Sequence, residues 1–431
     1  MYTVAMSRRD ETIIAGLDIG SSNIRMAVGK IIDPGSDDEA LQILGLMEVP
    51  SEGVSKGVVT SIEDVVSSVS SCLEQAERSV GVPVESVWLG ISGTQTMIQN
   101  SRGYAAVAKS DNEITPADVE RALESSRSVS TPLNYEVLHV TPRSYNVDGQ
   151  SGIKDPVGMT GMRLEVDTKI ILGQSSQIKN LTRAVYRAGL EINDIVLSPL
   201  AATNLLLTSR QKDLGVILVN IGGQTTSVTV YEEGDLLHTV SLPIGSAHIT
   251  NDLAVGLRAS VDVVEKLKVE YGDCIGDSYG RNDEIDLYNL GSPDHELFKL
   301  KDVSSIIEAR VEEIFYLVDQ ELKKIHRSGL LPAGVVLTGG GTKLRGIVEE
   351  AKKNLRLPAV MGYPLSLVGS VDQANDPGYS TAIGLVKWGS EMLLQASPGR
   401  SSGGGGDLWG SLKKSLGLRG RLKKTISSLI P

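Results

Sequence analysis

The sequence predicts a two-lobed α/β protein with duplicated α/β cores, a small α+β domain inserted into the first lobe, a flexible linker and a C-terminal amphipathic helix. Three observations predict it. Residues 13–31, IIAGLDIGSSNIRMAVGKI, and 215–234, GVILVNIGGQTTSVTVYEEG, align at a single offset, with Asp18 on Asn220, Gly20 on Gly222, Met26 on Val228 and Val28 on Val230. Residues 84–165 do not fit a simple two-lobe pattern. The last 25 residues carry six Lys and Arg against one Asp, set among regularly spaced apolar residues.

Each copy reads as a strand of β-branched residues, a glycine turn and a second strand with alternating apolar positions. Two copies this far apart imply one per lobe. Between them, Ile62, Val65, Val66, Val69, Leu73, Ala76 and Val80 keep helical spacing, with Thr60 and Glu63 as a capping box. Within 84–165, short strands at 87–91, 135–141 and 143–147 surround one helix opened by Thr115-Pro116. A second helix spans 179–188 and closes at Gly189. A long third one, 303–326, precedes a strand at 335–337 and a helix at 344–355. The run PGRSSGGGG at 398–406 is a flexible linker. The expected divisions are a first core from 12–83 and 166–198, the insert at 84–165, a second core from 199–250 and 332–392, a subdomain of it at 251–331, a linker at 393–406 and the helix at 407–431.

A chain of 431 residues exceeds one compact core, so two to four domains are expected. Charged residues at 22% and hydrophobic ones at 41% are ordinary for a globular protein, while aromatics at 4% leave the cores to Val, Ile, Leu and Ala. Cys72 and Cys274 are too few for a disulfide framework or a closed zinc site, and fit a reducing cytosol as buried small hydrophobes. The first residues lack signal-peptide order, and no window approaches the ~18 apolar residues of a membrane span. Net charge is −11; the tail holds +5, leaving −16 on the body, which excludes nucleic acid as the main partner. The five histidines, His139, His238, His248, His295 and His326, fall in no metal-ligand spacing, and Ser198 and Ser241 lack a nucleophile-elbow context.

The chemistry is expected where glycines end strands. In Asp18-Ile19-Gly20-Ser21-Ser22, Gly20 permits a tight turn, and the amides and hydroxyls of Ser21 and Ser22 can donate to phosphate oxygens. Asp18 is placed to hold Mg²⁺ through water. The second turn, Asn220-Ile221-Gly222-Gly223-Gln224-Thr225, faces the first if the lobes are duplicates, so that two hairpins clamp one polyphosphate. The third, Thr338-Gly339-Gly340-Gly341-Thr342-Lys343, offers bare backbone to a flat base and a helix N-terminus to negative charge.

In the tail, Leu408, Trp409, Leu412, Leu416, Leu418, Leu422, Ile426, Leu429 and Ile430 recur mostly at three- and four-residue steps, with Lys413, Lys423 and other cations between. Such a helix lies flat in an anionic headgroup region, each cation contributing about 1 kcal/mol. Trp409, Leu412, Lys413, Leu416, Leu422, Lys423 and Ile426 are the expected membrane contacts, although Gly417 and Gly420 interrupt the pattern.

These three loops in this order resemble the actin superfamily. Within it, VLHVTPRSYNVDG with GIKDPVGMTGMRLE (137–165) and DPGYSTAIGLVKWG (376–389) resemble the FtsA family of cell-division proteins. The resemblance covers nearly the whole chain and implies an actin-like fold with an SHS2-type insert. It implies a site for ATP and Mg²⁺ built from Asp18, Gly20, Ser21, Ser22, Gly222, Gly223, Gln224, Thr225, Glu265, Lys268, Gly339, Gly340, Gly341 and Lys343. It further implies self-association into filaments, recruitment of later division proteins, and tethering of FtsZ to the cytoplasmic face of the membrane at the division site, with Arg310 meeting the FtsZ C-terminal peptide. The chain departs from the family's DIGGGT pattern: Asn220, Gln224 and Ser227 stand for an aspartate, a glycine and an aspartate. Nucleotide binding with weak or no hydrolysis is therefore expected, and Gln224 is expected to crowd the phosphate. A pilus-assembly homologue or a small-molecule kinase are the alternatives.

Overall fold

The structure, a computed structural model, describes residues 13–32, 40–128, 131–365, 367–369 and 371–396. The linker run at 398–406 and every membrane contact expected in the tail lie outside these.

The first lobe opens with β1 (Ile13–Ile19), β2 (Asn23–Ile32) and β3 (Ala40–Pro50), a meander of apolar strands. A short hairpin, β4 (Val54–Ser55) and β5 (Val58–Val59), leads into α1 (Ile62–Val80). The helix is where its periodicity places it, but its N-cap is Ser61, whose hydroxyl accepts from the Asp64 amide. The Thr60–Glu63 capping box does not form; Glu63 instead pairs with Arg187, at 2.5 Å. Next comes β6 (Ser86–Ile91), which pairs in parallel with β1. Its sequence, SVWLGI, is apolar on both faces, as a central parallel strand requires. It therefore belongs to the lobe's main sheet and not among the strands of the insert.

The insert is a separate antiparallel sheet of β7 (Thr96–Ala106), β8 (Tyr135–Val147), β9 (Gln150–Ile153) and β10 (Arg163–Gln174), in the order β7-β10-β8-β9. The two strands expected at 135–147 are one continuous strand. Helix α2 (Pro116–Arg127) covers the sheet over its own core of Ile114, Val119, Leu123, Val140, Leu164 and Ile170. Then α3 (Ser175–Arg187) and β11 (Glu191–Leu197) complete the first lobe, whose sheet runs β3-β2-β1-β6-β11.

Helices α4 (Ser198–Leu206) and α5 (Ser209–Leu214) lead to the second lobe. Its strands are β12 (Val216–Ile221), β13 (Thr226–Glu232) and β14 (Asp235–Leu242). After these come α6 (Ser246–Leu257), α7 (Val261–Tyr271), the small hairpin β15 (Glu284–Asp286) and β16 (Leu297–Lys299), and the long α8 (Leu300–Lys324). The chain returns through β17 (Val335–Thr338), α9 (Ile347–Leu355) and β18 (Ala359–Met361) to α10 (Ser380–Ala396). A short 3-10 turn at Gly340–Lys343 delays α9 beyond the expected start.

The second sheet runs β14-β13-β12-β17-β18, the same order as the first. The registers match as well: Asp18 pairs with Arg25 where Asn220 pairs with Ser227, and Gly90 lies beside Asp18 where Thr338 lies beside Asn220. The duplication read from two hairpins thus extends to whole sheets. Helix α10, the last among the described residues, packs on β1 and crosses α4 so closely that a Cβ at Gly384 would lie 2.3 Å from the Ala201 carbonyl oxygen. The lobes therefore meet at a tight two-helix crossing below the cleft.

Candidate functional site

Both hairpin turns close by the same local bond. The Gly20 amide donates to the Asn23 carbonyl at 3.1 Å, and the Gly222 amide to the Thr225 carbonyl at 2.9 Å. The turns face each other so closely that a Cβ on Gly223 would sit 1.8 Å from Ser22 Oγ; only bare backbone fits there. Behind the second turn, the first amides of α6 are spent on it, Ser246 donating to Gly222 at 2.9 Å and Ala247 to Gly223 at 2.7 Å. The third turn leaves β17 at Gly339, whose φ of +93° and nearness to Asn220 Oδ1 (2.3 Å from a built Cβ) both exclude a side chain.

These turns enclose a cavity of about 810 Å³ between the lobes. Asp18, Gly20, Ser21, Ser22, Gly222, Gly223, Thr225, Glu265, Lys268, Gly339, Gly340, Gly341 and Lys343 all line it. Gln224 does not. Its side chain turns away to the first lobe, where Oε1 accepts from Ser55 Oγ at 3.1 Å and from the Lys56 amide at 2.9 Å. The crowding expected of Gln224 is therefore absent.

The floor of the cavity is a row of charges across β1, β2 and β3. Asp18 is opposite Arg25, and Arg25 opposite Glu48, with Arg25 Nε 2.6 Å from Glu48 Oε2. Arg25 also lies over the Tyr379 ring, 5.7 Å from its centroid. Enclosure by protein pushes the Asp18 carboxyl above the usual carboxylate range, against the pull of Arg25 and of the Ser198 hydroxyl, which donates to Oδ1 at 3.3 Å. In the equivalent place of the second lobe, Asn220 Nδ2 donates to Thr381 Oγ1 at 3.4 Å. On the wall, the buried Lys268 ammonium donates to Glu265 at 2.7 Å, to Thr250 Oγ1 at 2.8 Å and to the Ser246 carbonyl at 3.4 Å. Lys343 is paired with Asp376.

Arg25, Glu48, Ser198 and Thr381 are cavity residues that the motifs missed. Arg25 was within reach, since it follows Asp18 on the paired strand in the register that the duplicated hairpin dictates. Ser198 and Thr381 head distant helices, and no local pattern announces them.

Two further groups bear on the expectations. Arg310 on α8 forks onto Asp252 of α6 at 2.5 and 2.8 Å and also pairs with Glu313, at one side of an open groove of about 440 Å³ lined besides by Ser305, Ile306 and Ala309. Glu308, Glu312 and Glu350 come within metal-ligand distance of one another, but the Lys353 ammonium already sits among them, at 2.9–3.3 Å. Three of the five histidines are structural: His139 Nε2 accepts from the Leu197 amide, His238 pairs with Glu321 and His248 Nδ1 accepts from the Gly245 amide, while His295 is exposed beside Asp286.

The family model described as "Cell division protein FtsA" matches residues 217–384, and that of the "SHS2 domain inserted in FTSA" matches residues 93–172. The cell division protein FtsA of Pseudomonas aeruginosa is 35% identical over 96% of this chain and 97% of its own length. The chain belongs to the FtsA family. That of Bacillus subtilis is 36% identical over 87% of this chain and 83% of its own, and that of Escherichia coli K12 is 32% identical over 89% and 92%.

Among solved structures, the PilM-PilN type IV pilus biogenesis complex aligns with a TM-score of 0.62 at 16% identity, covering 88% of this chain and 98% of the other. MreB5 of Spiroplasma citri, bound to ADP, aligns with a TM-score of 0.52 at 13% identity, covering 89% and 98%. Identities this low speak for the actin-like fold alone. The far higher identity to FtsA proteins sets the pilus-assembly alternative below the cell-division reading.

Proposed function

We propose that this FtsA-family protein binds ATP with Mg²⁺ in the interlobe cleft, polymerises, and tethers FtsZ to the cytoplasmic face of the membrane, where it recruits later division proteins. One observation carries the nucleotide reading: two turns of identical register and a third glycine turn converge on one cavity of about 810 Å³. The turns of Gly20–Ser22 and Gly222–Thr225 would hold the phosphates, Gly339–Gly341 and Lys343 the adenosine, and Glu265 with Lys268 the ribose side. Asp18 suits a hydrated divalent cation, being a carboxylate enclosed in the cleft with only Arg25 and Ser198 to offset its charge. Mg²⁺, when bound, would neutralise phosphate charge; Asp18 would hold its water shell, and Arg25 would balance the charge left on the floor.

Turnover is slow in this reading. Hydrolysis needs a carboxylate or an equivalent group to orient the attacking water, and the second turn presents Asn220 and Ser227 instead. FtsZ would bind at the α6–α8 groove through Arg310, its acidic peptide displacing Asp252 or Glu313. We assign the first lobe core to 12–91 with 175–198, the insert to 92–174 around its own sheet, the second core to 199–250 with 332–392, the groove subdomain to 251–331, the linker to 393–406 and the membrane helix to 407–431. Among the described residues no helix is long and apolar enough to cross a membrane, which accords with a peripheral anchor in the tail.

Co-sedimentation with anionic liposomes tests the adaptor reading, using the full chain and a version stopped at Gly406, each with and without FtsZ. The full chain should pellet and carry FtsZ with it, and the shortened chain should not. If both stay in solution, the tail is not an anchor.

A further inference from the structure

The tip of the hairpin β4–β5 holds both phosphate turns at once. Its two central residues, Lys56 and Gly57, have φ of +50° and +76°, the twist that a two-residue hairpin turn needs. For Lys56 this is a left-handed backbone carrying a side chain, tolerated at some cost. That conformation presents two consecutive amides. The Lys56 amide donates to Gln224 Oε1 of the second lobe at 2.9 Å, and the Gly57 amide to Ser21 Oγ of the first turn at 2.9 Å. Ser55 Oγ adds a second donor to Gln224, at 3.1 Å. On its other side the hairpin abuts the start of the insert: a Cβ on Gly57 would lie 2.6 Å from the Gly93 Cα.

We propose that Ser55, Lys56 and Gln224 form a latch across the cleft mouth that slows the release of a bound nucleoside triphosphate; its ligand half rests on the nucleotide reading above. Gln224 lies outside the cavity lining, so its contribution is to the position of the second turn, not to phosphate. Opening the cleft separates Gln224 from the hairpin and breaks both bonds. A glycine at this position, as in the family's pattern, has no side chain to bridge the gap. The latch is thus a device of chains that carry glutamine here, and it complements a site expected to turn over slowly.

The test uses the full chain, with backbone hydrogen exchange at the Lys56 amide and release of a fluorescent ATP analogue as its two readouts. Ser55 and Lys56 are exposed and Gln224 is half-buried at a turn, so substitutions at Ser55 and Gln224 leave the cores untouched. Gln224→Leu keeps the shape and removes the acceptor. It should speed Lys56 exchange and analogue release roughly three- to tenfold, the effect of one or two solvent-accessible hydrogen bonds. Gln224→Glu, which keeps an acceptor oxygen, should restore the Lys56 protection. Ser55→Ala should have a smaller effect, less than additive with Gln224→Leu. Lys56 exchanging at the free-peptide rate in the parent chain overturns the latch whether or not nucleotide binds. Unchanged release from Gln224→Leu overturns its role in retention. If the parent chain binds no analogue, the nucleotide reading and the retention role both fall, while Lys56 exchange still decides the contact itself.

Discussion

Asp18 and Asn220 hold the same place in the two sheets, yet their hydrogen bonds run in opposite senses: Asp18 accepts from Ser198 at 3.3 Å, and Asn220 donates to Thr381 at 3.4 Å. Ser198 and Thr381 belong to α4 and α10, the helices that cross beneath the cleft. Each turn is thereby tied to one of the two crossing helices, but at this shared position only the first lobe carries a carboxylate.

Asn220→Asp restores that second carboxylate, which can still accept from the Thr381 hydroxyl. Phosphate release by the pure protein should rise roughly a hundredfold, the low end of the range that a positioned base supplies. An unchanged rate would mean that Ser227, or the cleft as a whole, limits the chemistry.

Asp18→Asn should act in two directions. Burial raises the Asp18 carboxyl, so the folded protein binds its proton more readily than the unfolded chain does. The ionised carboxylate then costs stability, and the cost grows as pH rises from the ordinary carboxylate range through the raised folded value. Without nucleotide, Asp18→Asn should therefore melt higher than the parent at neutral pH, with the difference shrinking on acidification. With nucleotide, the Mg²⁺ dependence of binding should be lost. Thermal melts and titrations with and without Mg²⁺ separate the two effects.

His238 on β14 pairs with Glu321 on α8 at 3.2 Å, but burial lowers its imidazole below the usual 6.5, and Lys169 of β10 and Lys324 add to the lowering while Glu321 opposes it. The unfolded chain therefore binds this proton first as pH falls. Stability from this site is full above about pH 6.5 and declines as pH drops toward the lowered folded value. His238→Gln should flatten that part of the stability–pH curve in denaturant titrations.

Arg310→Ala removes a partly exposed ion pair and should cost under ~1 kcal/mol of stability. On the proposed FtsZ role, the same change should weaken binding of the FtsZ C-terminal peptide about tenfold, by loss of one charge-assisted contact. Asp252→Ala, which frees the guanidinium, should strengthen it. Peptide titration followed by fluorescence anisotropy distinguishes the two, and equal weakening by both changes would leave Arg310 a purely structural residue.

The insert touches the second lobe through Lys154, whose ammonium lies 2.6 Å from Asp235 and 3.2 Å from the Glu233 carbonyl. With Lys154 half exposed, Lys154→Ala should shift the unfolding free energy by less than ~1 kcal/mol. The contact orients more than it stabilises, so amide exchange along β14 should change more than the melting temperature does.

The hairpins 13–31 and 215–234 and the three glycine turns were legible in the sequence because their signals are local. Alternating apolar residues select a strand face within a few positions, and the tight turns at Gly223 and Gly339 leave no space for a Cβ. Helix α1 was legible for the same reason, down to its last residue. Its N-cap was misplaced by one residue because Thr60 and Ser61 offer the same chemistry, and only backbone geometry chooses between them. What the tertiary structure alone decided were relations between distant residues. The sheet that claims Ser86–Ile91, the Asp18–Arg25–Glu48 row, the helix-heading Ser198 and Thr381, and the direction of Gln224 all depend on packing. A glutamine side chain has three torsions, and whether it fills a cavity or reaches a hairpin is set by partners 168 and 169 positions away. Local backbone preference is written in neighbouring residues, whereas a side chain's partner is fixed only when the lobes come together.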